Sequence, residues 1–167
     1  MPVNNAKELF VKMLSDVRQR TEHTTKIYEE LSEATNDPNI KEALQSRAFL
    51  QDKTLSTLDR CFKLIGEKPI HSTGRLQDVF LEDFRREIAE IQSPTAKALF
   101  ALAKANQVIH MRIAEYLALI AMADVTDHFG IGVLLESCLA DKLAFVERTR
   151  RLIRHSIELK HDMKIAA

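Results

Sequence analysis

The run KIYEELSEATNDPNIKEAL, residues 26–44, decides the fold. Upstream of its centre, Ile27 and Leu31 continue an apolar stripe that starts at Phe10, Met13, Val17 and Thr24. Steps of three and four residues put these side chains on one face of a helix from Ala6 to Thr35, roughly 45 Å long at the usual helical rise. Asn36-Asp37-Pro38-Asn39 then breaks the pattern. Asp37 suits an N-cap, because its carboxylate accepts free N–H groups of a first turn. Pro38 suits the first helical position, where a missing N–H costs nothing. Downstream, Ile40, Leu44, Ala48, Gln51, Leu55, Leu58, Phe62 and Ile65 form a second stripe. So short a break between two long amphipathic helices forces them to fold back antiparallel.

Moving outward, Gly66 and Lys68-Pro69 supply a helix stop. Residues 66–93 contain His71-Ser-Thr-Gly74 and then Leu76, Val79, Phe80, Phe84, Ile88 and Ile91. This spacing predicts a crossover carrying its own helix of roughly four to five turns. Ser93-Pro94 starts a third long helix to about Thr126, with Leu99, Leu102, Asn106, Ile109, Ile113, Tyr116 and Ile120 on its stripe. After Asp127-His128-Phe129-Gly130, a fourth helix carries Ile131, Leu135, Cys138, Phe145, Thr149 and Leu152. It is expected to fray after about Leu159, leaving residues 160–167 as a polar tail. The predicted fold is all-α: one domain over residues 1–167, core 6–159. Two antiparallel helical hairpins are joined by a long connection, the ferritin-like form of the four-helix bundle.

Composition agrees. Only 4 Gly and 4 Pro in 167 residues argue against a turn-rich β architecture. Twenty-four basic residues balance 24 acidic ones, which excludes a general nucleic-acid binder advertising a basic excess. The longest nearly uncharged stretch, Tyr116 to Ala123, is too short to span a bilayer, and no secretory signal pattern opens the chain. Two cysteines, Cys61 and Cys138, make no disulfide framework, and a cytoplasmic location is expected. No nucleophile elbow, phosphate-binding loop or dinucleotide fingerprint occurs.

Several segments resemble the YciE/YciF ferritin-like family. They are Ala6-Lys-Glu-Leu-Phe10, Asp37-Pro-Asn-Ile-Lys-Glu-Ala-Leu44, Phe62-Lys-Leu-Ile-Gly-Glu-Lys-Pro69, and Ala103 to Tyr116 with His110. The likeness spans residues 6–155, and Leu-Ile-Gly-Glu-Lys-Pro is its most specific part. It implies a ferritin-like bundle, a homodimer and an association with bacterial stress responses, without an established reaction.

A di-iron carboxylate centre needs a Glu from each of two helices and a Glu-x-x-His pair from each of the others. The single Glu-x-x-His of the chain, Glu158 to His161, straddles the expected end of the fourth helix, and none occurs at mid-bundle. The resemblance places the family's mid-bundle acidic or histidine positions at Thr21, Arg47 with Gln51, Ile109 with Arg112, and Lys142. A cation there repels a metal ion besides removing a donor. An inward Arg112 would need a partner, and Asp141 is the nearest by bundle level. The expectation is an interior polar layer of Thr21, Gln51, Arg112, Asp141 and Lys142, with no metal or other cofactor. The rival is a divergent iron or manganese oxidase using Glu22, Glu115, Asp141 and His110. On residue pattern alone, Glu22-His23 and Glu115 read as solvated, His110 as a surface or interface residue, and both cysteines as buried structural thiols.

Charge is unevenly spread. Residues 142–167 hold seven basic side chains against three acidic ones, while 66–93 hold four against six. The basic end reads first as helix-end complementarity, and secondarily as a patch for a protein partner or anionic surface. The function expected is a non-enzymatic, metal-free structural or interaction protein. Leu117, Ile120 and Met122 beside Tyr116 exceed one apolar stripe and favour a homodimer.

Overall fold

Local chemistry sets the helix boundaries. Asn5 caps α1 (Ala6–Glu33), accepting from the Glu8 backbone N–H at 2.9 Å, and Glu8 accepts in return from the Asn4 N–H at 2.8 Å. Asp37 caps α2 (Pro38–Ile65), accepting from the N–H groups of Asn39 and Ile40 at 3.0 and 3.1 Å. Gly66 closes α2 at φ +69°, and the Glu67 N–H reaches the Phe62 carbonyl at 3.2 Å. The chain continues through α3 (Leu76–Ala89), α4 (Pro94–Val125, capped by Ser93) and α5 (Phe129–Ile165). This computed structural model describes residues 3–71 and 75–165, with side chains through residue 157, and no strand occurs among them.

Helix α1 packs along α2 and α4, and α5 packs along α4 and α2. Two apolar clusters hold the ends together. One gathers Ile27, Leu31, Ile40, Leu44, Leu102 and Phe145. The other gathers Phe10, Leu14, Leu58, Phe62, Leu119 and Leu135. The short α3 lies against α1 and α4. Its Phe84 stacks on Phe100 with ring centroids 6.0 Å apart, and its buried Gln77 donates from Nε2 to the Arg20 carbonyl at 2.5 Å. Arg85 adds a two-pronged pair to Glu30 at 2.9 and 2.5 Å.

Two boundaries differ from expectation. Helix α1 ends at Glu33, before Thr35, whose hydroxyl instead accepts from the Asp37 N–H at 3.1 Å in the turn. Helix α5 continues past Leu159 to Ile165. Its last turns lack an apolar stripe, but they also lack Gly and Pro, and Leu, Lys and Met favour helix without needing a buried face. Ser72 to Gly74 of the connection and the last two alanines lie outside the described residues, as do the side chains of Glu158, Lys160, Asp162 and Lys164.

Candidate functional site

Between the two apolar clusters the bundle turns polar. The α2 stripe continues from Leu44 to Arg47 and Gln51, the α4 stripe from Ile109 to Arg112 and Tyr116, and the α5 stripe from Cys138 to Lys142 and Phe145. Helical spacing therefore drives three cations inward. Arg47 is 1% exposed, Lys142 2% and Arg112 4%; Thr21, Gln51, Tyr28 and Tyr116 are buried with them. Aromatic faces supply part of the missing solvation. Lys142 Nζ lies 3.8 Å from the Tyr116 ring centroid and donates to the Cys138 carbonyl at 3.2 Å. The Arg47 guanidinium lies 5.7 Å from the Phe145 ring, which in turn meets Tyr28 edge-on at 5.7 Å. Thr21 and Gln51 spend hydrogen bonds on their own helices, donating to the carbonyls of Val17 at 2.8 Å and Arg47 at 3.4 Å.

One of these cations has an ion pair among the described residues. Glu115 Oε1 takes Arg112 Nη2 at 2.8 Å and is clasped from the other side by Arg20 of α1. Arg47 takes part in no ion pair among the described residues. Burial pushes Lys142 down to about 7, and the charges of Arg47 and Arg112 push the same way. Burial also lowers Arg112, with Glu115 opposing and Arg20 reinforcing. Tyr28 is raised by burial and pulled back by the Arg47 and Arg112 charges; Tyr116 is raised well above its ordinary value, again chiefly by burial. Both thiols are free and buried: burial pushes Cys61 up to about 12, and raises Cys138 against the pull of Lys142.

Asp141 differs from its expected place. It sits at the surface of α5, pairing with the exposed Lys53 at 3.3 Å, so it neither joins the interior layer nor partners Arg112. The reason is rotational: Lys142 and Asp141 are adjacent and splay about 100° apart on a helix, so one of them must leave the core. Glu115 differs in the opposite sense, since two arginines hold it at the layer's wall where a solvated carboxylate was expected. Glu22 pairs with Arg18 at 2.6 Å on the surface, His23 Nδ1 lies 3.2 Å from Gln77 Oε1, and exposed His110 meets the Asn106 carbonyl at 2.7 Å. The structure therefore does not bring Glu22, Glu115, Asp141 and His110 together. Among the described residues no three His, Cys, Asp or Glu side chains gather as metal ligands. The atoms turned into the layer do not suit a metal either. Arg47 Nε and Nη1, Arg112 Nη1, Tyr28 Oη, Tyr116 Oη and Glu115 Oε2 are buried without a hydrogen-bond partner; the three guanidinium atoms can only donate, and Glu115 supplies the one carboxylate oxygen among them.

The Tyr28 hydroxyl, the orphan Arg47 donors and the Arg20 clasp escaped sequence reasoning. Tyr28 lies seven residues after Thr21 on the same face, which could have flagged it. Nothing local could have paired Arg20 with Glu115 across two helices.

The chain's relatives can now be set beside this geometry. A family model described as "Domain of unknown function (DUF892)" matches residues 5–160. The E. coli stress protein YciF superposes with a TM-score of 0.87 at 17% identity, covering 93% of this chain and 99% of that one. YcfI of Rhodopseudomonas palustris, described as a candidate structural protein, superposes at 0.83 with 24% identity, covering 89% and 94%. A protein from Xanthomonas campestris pv. campestris reaches 0.67 at 16% identity, covering 94% and 99%. No functionally curated protein matches the chain. At these identities the superpositions speak for the helical fold, and the family match over nearly the whole chain establishes membership: the protein belongs to the DUF892, YciE/YciF-like family.

Proposed function

We propose that this protein is a non-enzymatic, metal-free ferritin-like bundle, a homodimeric scaffold or interaction protein of the bacterial cytoplasm that serves in stress physiology. The carrying observation is the trio Arg47, Arg112 and Lys142, three buried basic side chains of which Arg112 alone has an ion pair among the described residues. Their charge opposes divalent metal where a ferritin-like oxidase concentrates carboxylates.

Cluster membership supports the ferritin-like layout. The start of α2 shares one apolar cluster with the start of α4, and the ends of both share the other. Shared clusters of this kind support two helices running in the same direction, as a long connection between the hairpins requires. Two unpaired, buried thiols suit a reducing compartment, and among the described residues no helix is long and apolar enough to cross a membrane. The kinship with an E. coli stress protein supports the physiological setting. Exposed apolar side chains on both sides of the α4–α5 turn support a dimer: Leu117, Val125, Phe129 and Val133.

The test is elemental analysis of protein purified after growth with added iron, manganese and zinc. Metal well below one ion per chain is expected. Stoichiometric, tightly held metal that disappears on Glu115→Ala or Asp141→Ala would replace this reading with the oxidase.

A further inference from the structure

A guanidinium stays protonated at any physiological pH, so unlike Lys142 it cannot shed its charge when buried. Arg112 has Glu115 on one of its nitrogens, but its Nη1 is buried without a partner. Arg47 is worse placed: it is 1% exposed, has no ion pair among the described residues, and keeps both Nε and Nη1 unpartnered. Two phenols, each 0% exposed, add hydroxyls with no hydrogen bond of ordinary geometry: Tyr28 Oη lies by Arg47 and Tyr116 Oη by Cys138. These groups share one locality. The Arg47 charge acts on Tyr28, Tyr116 and Lys142, and the Arg112 charge acts on the same three. Glu115 is itself shared with Arg20 through Oε1 and keeps its buried Oε2 unpartnered, so its single negative charge answers two arginines and leaves Arg47 without an ion pair. Uncompensated charge at such depth is costly even after the surroundings relax.

We infer that the mid-bundle layer is a binding site for one small inorganic monoanion of halide size, ligated by Arg47 and Arg112 N–H groups and the hydroxyls of Tyr28 and Tyr116. The donor set fits that chemistry, since guanidinium N–H groups only donate and phenols donate readily to an anion. Aromatic rings of Tyr116 and Phe145 and the two apolar clusters wall the layer in, which favours a compact monoanion over a hydrated oxyanion of higher charge. At the edge of the layer, Glu115 and Arg20 line a groove of about 280 Å³ between α1 and α4 with Met13, Val17 and Ala118. This inference rests on the same cationic layer as the proposed function, but its readout is separate from metal content.

The experiment compares thermal unfolding of the full chain in sodium chloride or bromide with sodium gluconate at equal ionic strength. Binding to the folded state alone should raise Tm by roughly 5–10 °C at about a hundredfold excess over Kd, and the rise should saturate. Arg47→Met should abolish the halide dependence while keeping the fold, because a buried cation exchanged for an apolar side chain of similar length is tolerated. Chloride-35 NMR of the wild-type protein gives a measurement independent of that variant: the line should broaden on adding protein and sharpen on adding bromide. Equal Tm in halide and gluconate with no broadening overturns the inference. So does a halide effect that never saturates or survives Arg47→Met, since that belongs to the surface. Stoichiometric metal in the same samples would overturn the proposed function instead, and absence of both metal and halide response would overturn the anion site alone.

Discussion

Lys142 carries the most direct coupling between charge and folding in this chain. Unfolded, it titrates near 10.5; folded, burial among Arg47 and Arg112 brings it to about 7. Between those values the unfolded chain binds a proton that the folded chain does not, so this group makes stability rise with pH across that window. Its penalty is fully present below about pH 7 and gone above about pH 10.5. The groups that face it are Arg47 from α2, Arg112 and Tyr116 from α4, and Cys138 and Asp141 on α5. Replacing Lys142 with Met should therefore stabilise the protein at about pH 6 by a few kcal/mol, on the order of the shift's free energy. That advantage should shrink towards zero as the pH approaches about 10. Urea unfolding of both proteins in halide-free buffers across this range checks it; a pH-independent difference would show that packing, not charge, separates them. Glu115 gives the opposite case. Glu115→Gln strips Arg112 and Arg20 of their shared counter-charge and should cost about 3 kcal/mol in the same assay at neutral pH. Much of this layer was legible through the family resemblance: Thr21, Arg47, Gln51, Arg112 and Lys142, positions that it marks at mid-bundle, are all buried, each three or four residues along its helix from another buried side chain. Asp141 was misplaced because adjacent residues compete for one inward direction, and the stripe alone did not say which wins.

Helix ends are legible for a different reason: capping is chemistry between residues two to four apart. The Asp37-Pro38 start and the Gly66 stop are written in the residues themselves. Gly66 stands at φ +69° with open space around the position of a Cβ, so Gly66→Ala pays only the left-handed backbone cost of about 1 kcal/mol. Asp37→Ala should cost about as much by freeing the Asn39 and Ile40 N–H groups. The two sites lie at opposite ends of α2 and share no partner, so the double variant should lose the sum within about 0.5 kcal/mol, measured by urea unfolding. A markedly larger loss would mean that the hairpin turn and the α2 stop are coupled through the helix. The clasp of Arg20, Glu115 and Arg112 was not legible, because it depends on how α1 and α4 are rotated against each other, which the packing of whole stripes decides.

At the scale of the whole molecule, the proposed dimer makes the sharpest demand on the surface. Single exposed apolar side chains are ordinary, but Val125, Val133, Phe129 and Leu117 are 71%, 65%, 61% and 54% exposed and all belong to the hairpin of α4 and α5 near its turn. Their neighbours Ile120 and Met122 are only partly covered by the core. Phe49 on α2 is as exposed, at 78%, but lies between the ends of its helix, away from that turn. If the α4–α5 hairpin forms the interface, a charge placed there must be desolvated on association, whereas one at position 49 stays in water. The Leu117→Glu, Val133→Glu double variant should sediment at the 19.0 kDa of one chain, while the parent and Phe49→Glu sediment at twice that mass. Both changes sit on solvent-facing helix positions, so far-UV circular dichroism should be unchanged and a fall in mass reports association rather than unfolding. A double variant that keeps the doubled mass would move the interface elsewhere, and a monomeric Phe49→Glu would move it to α2.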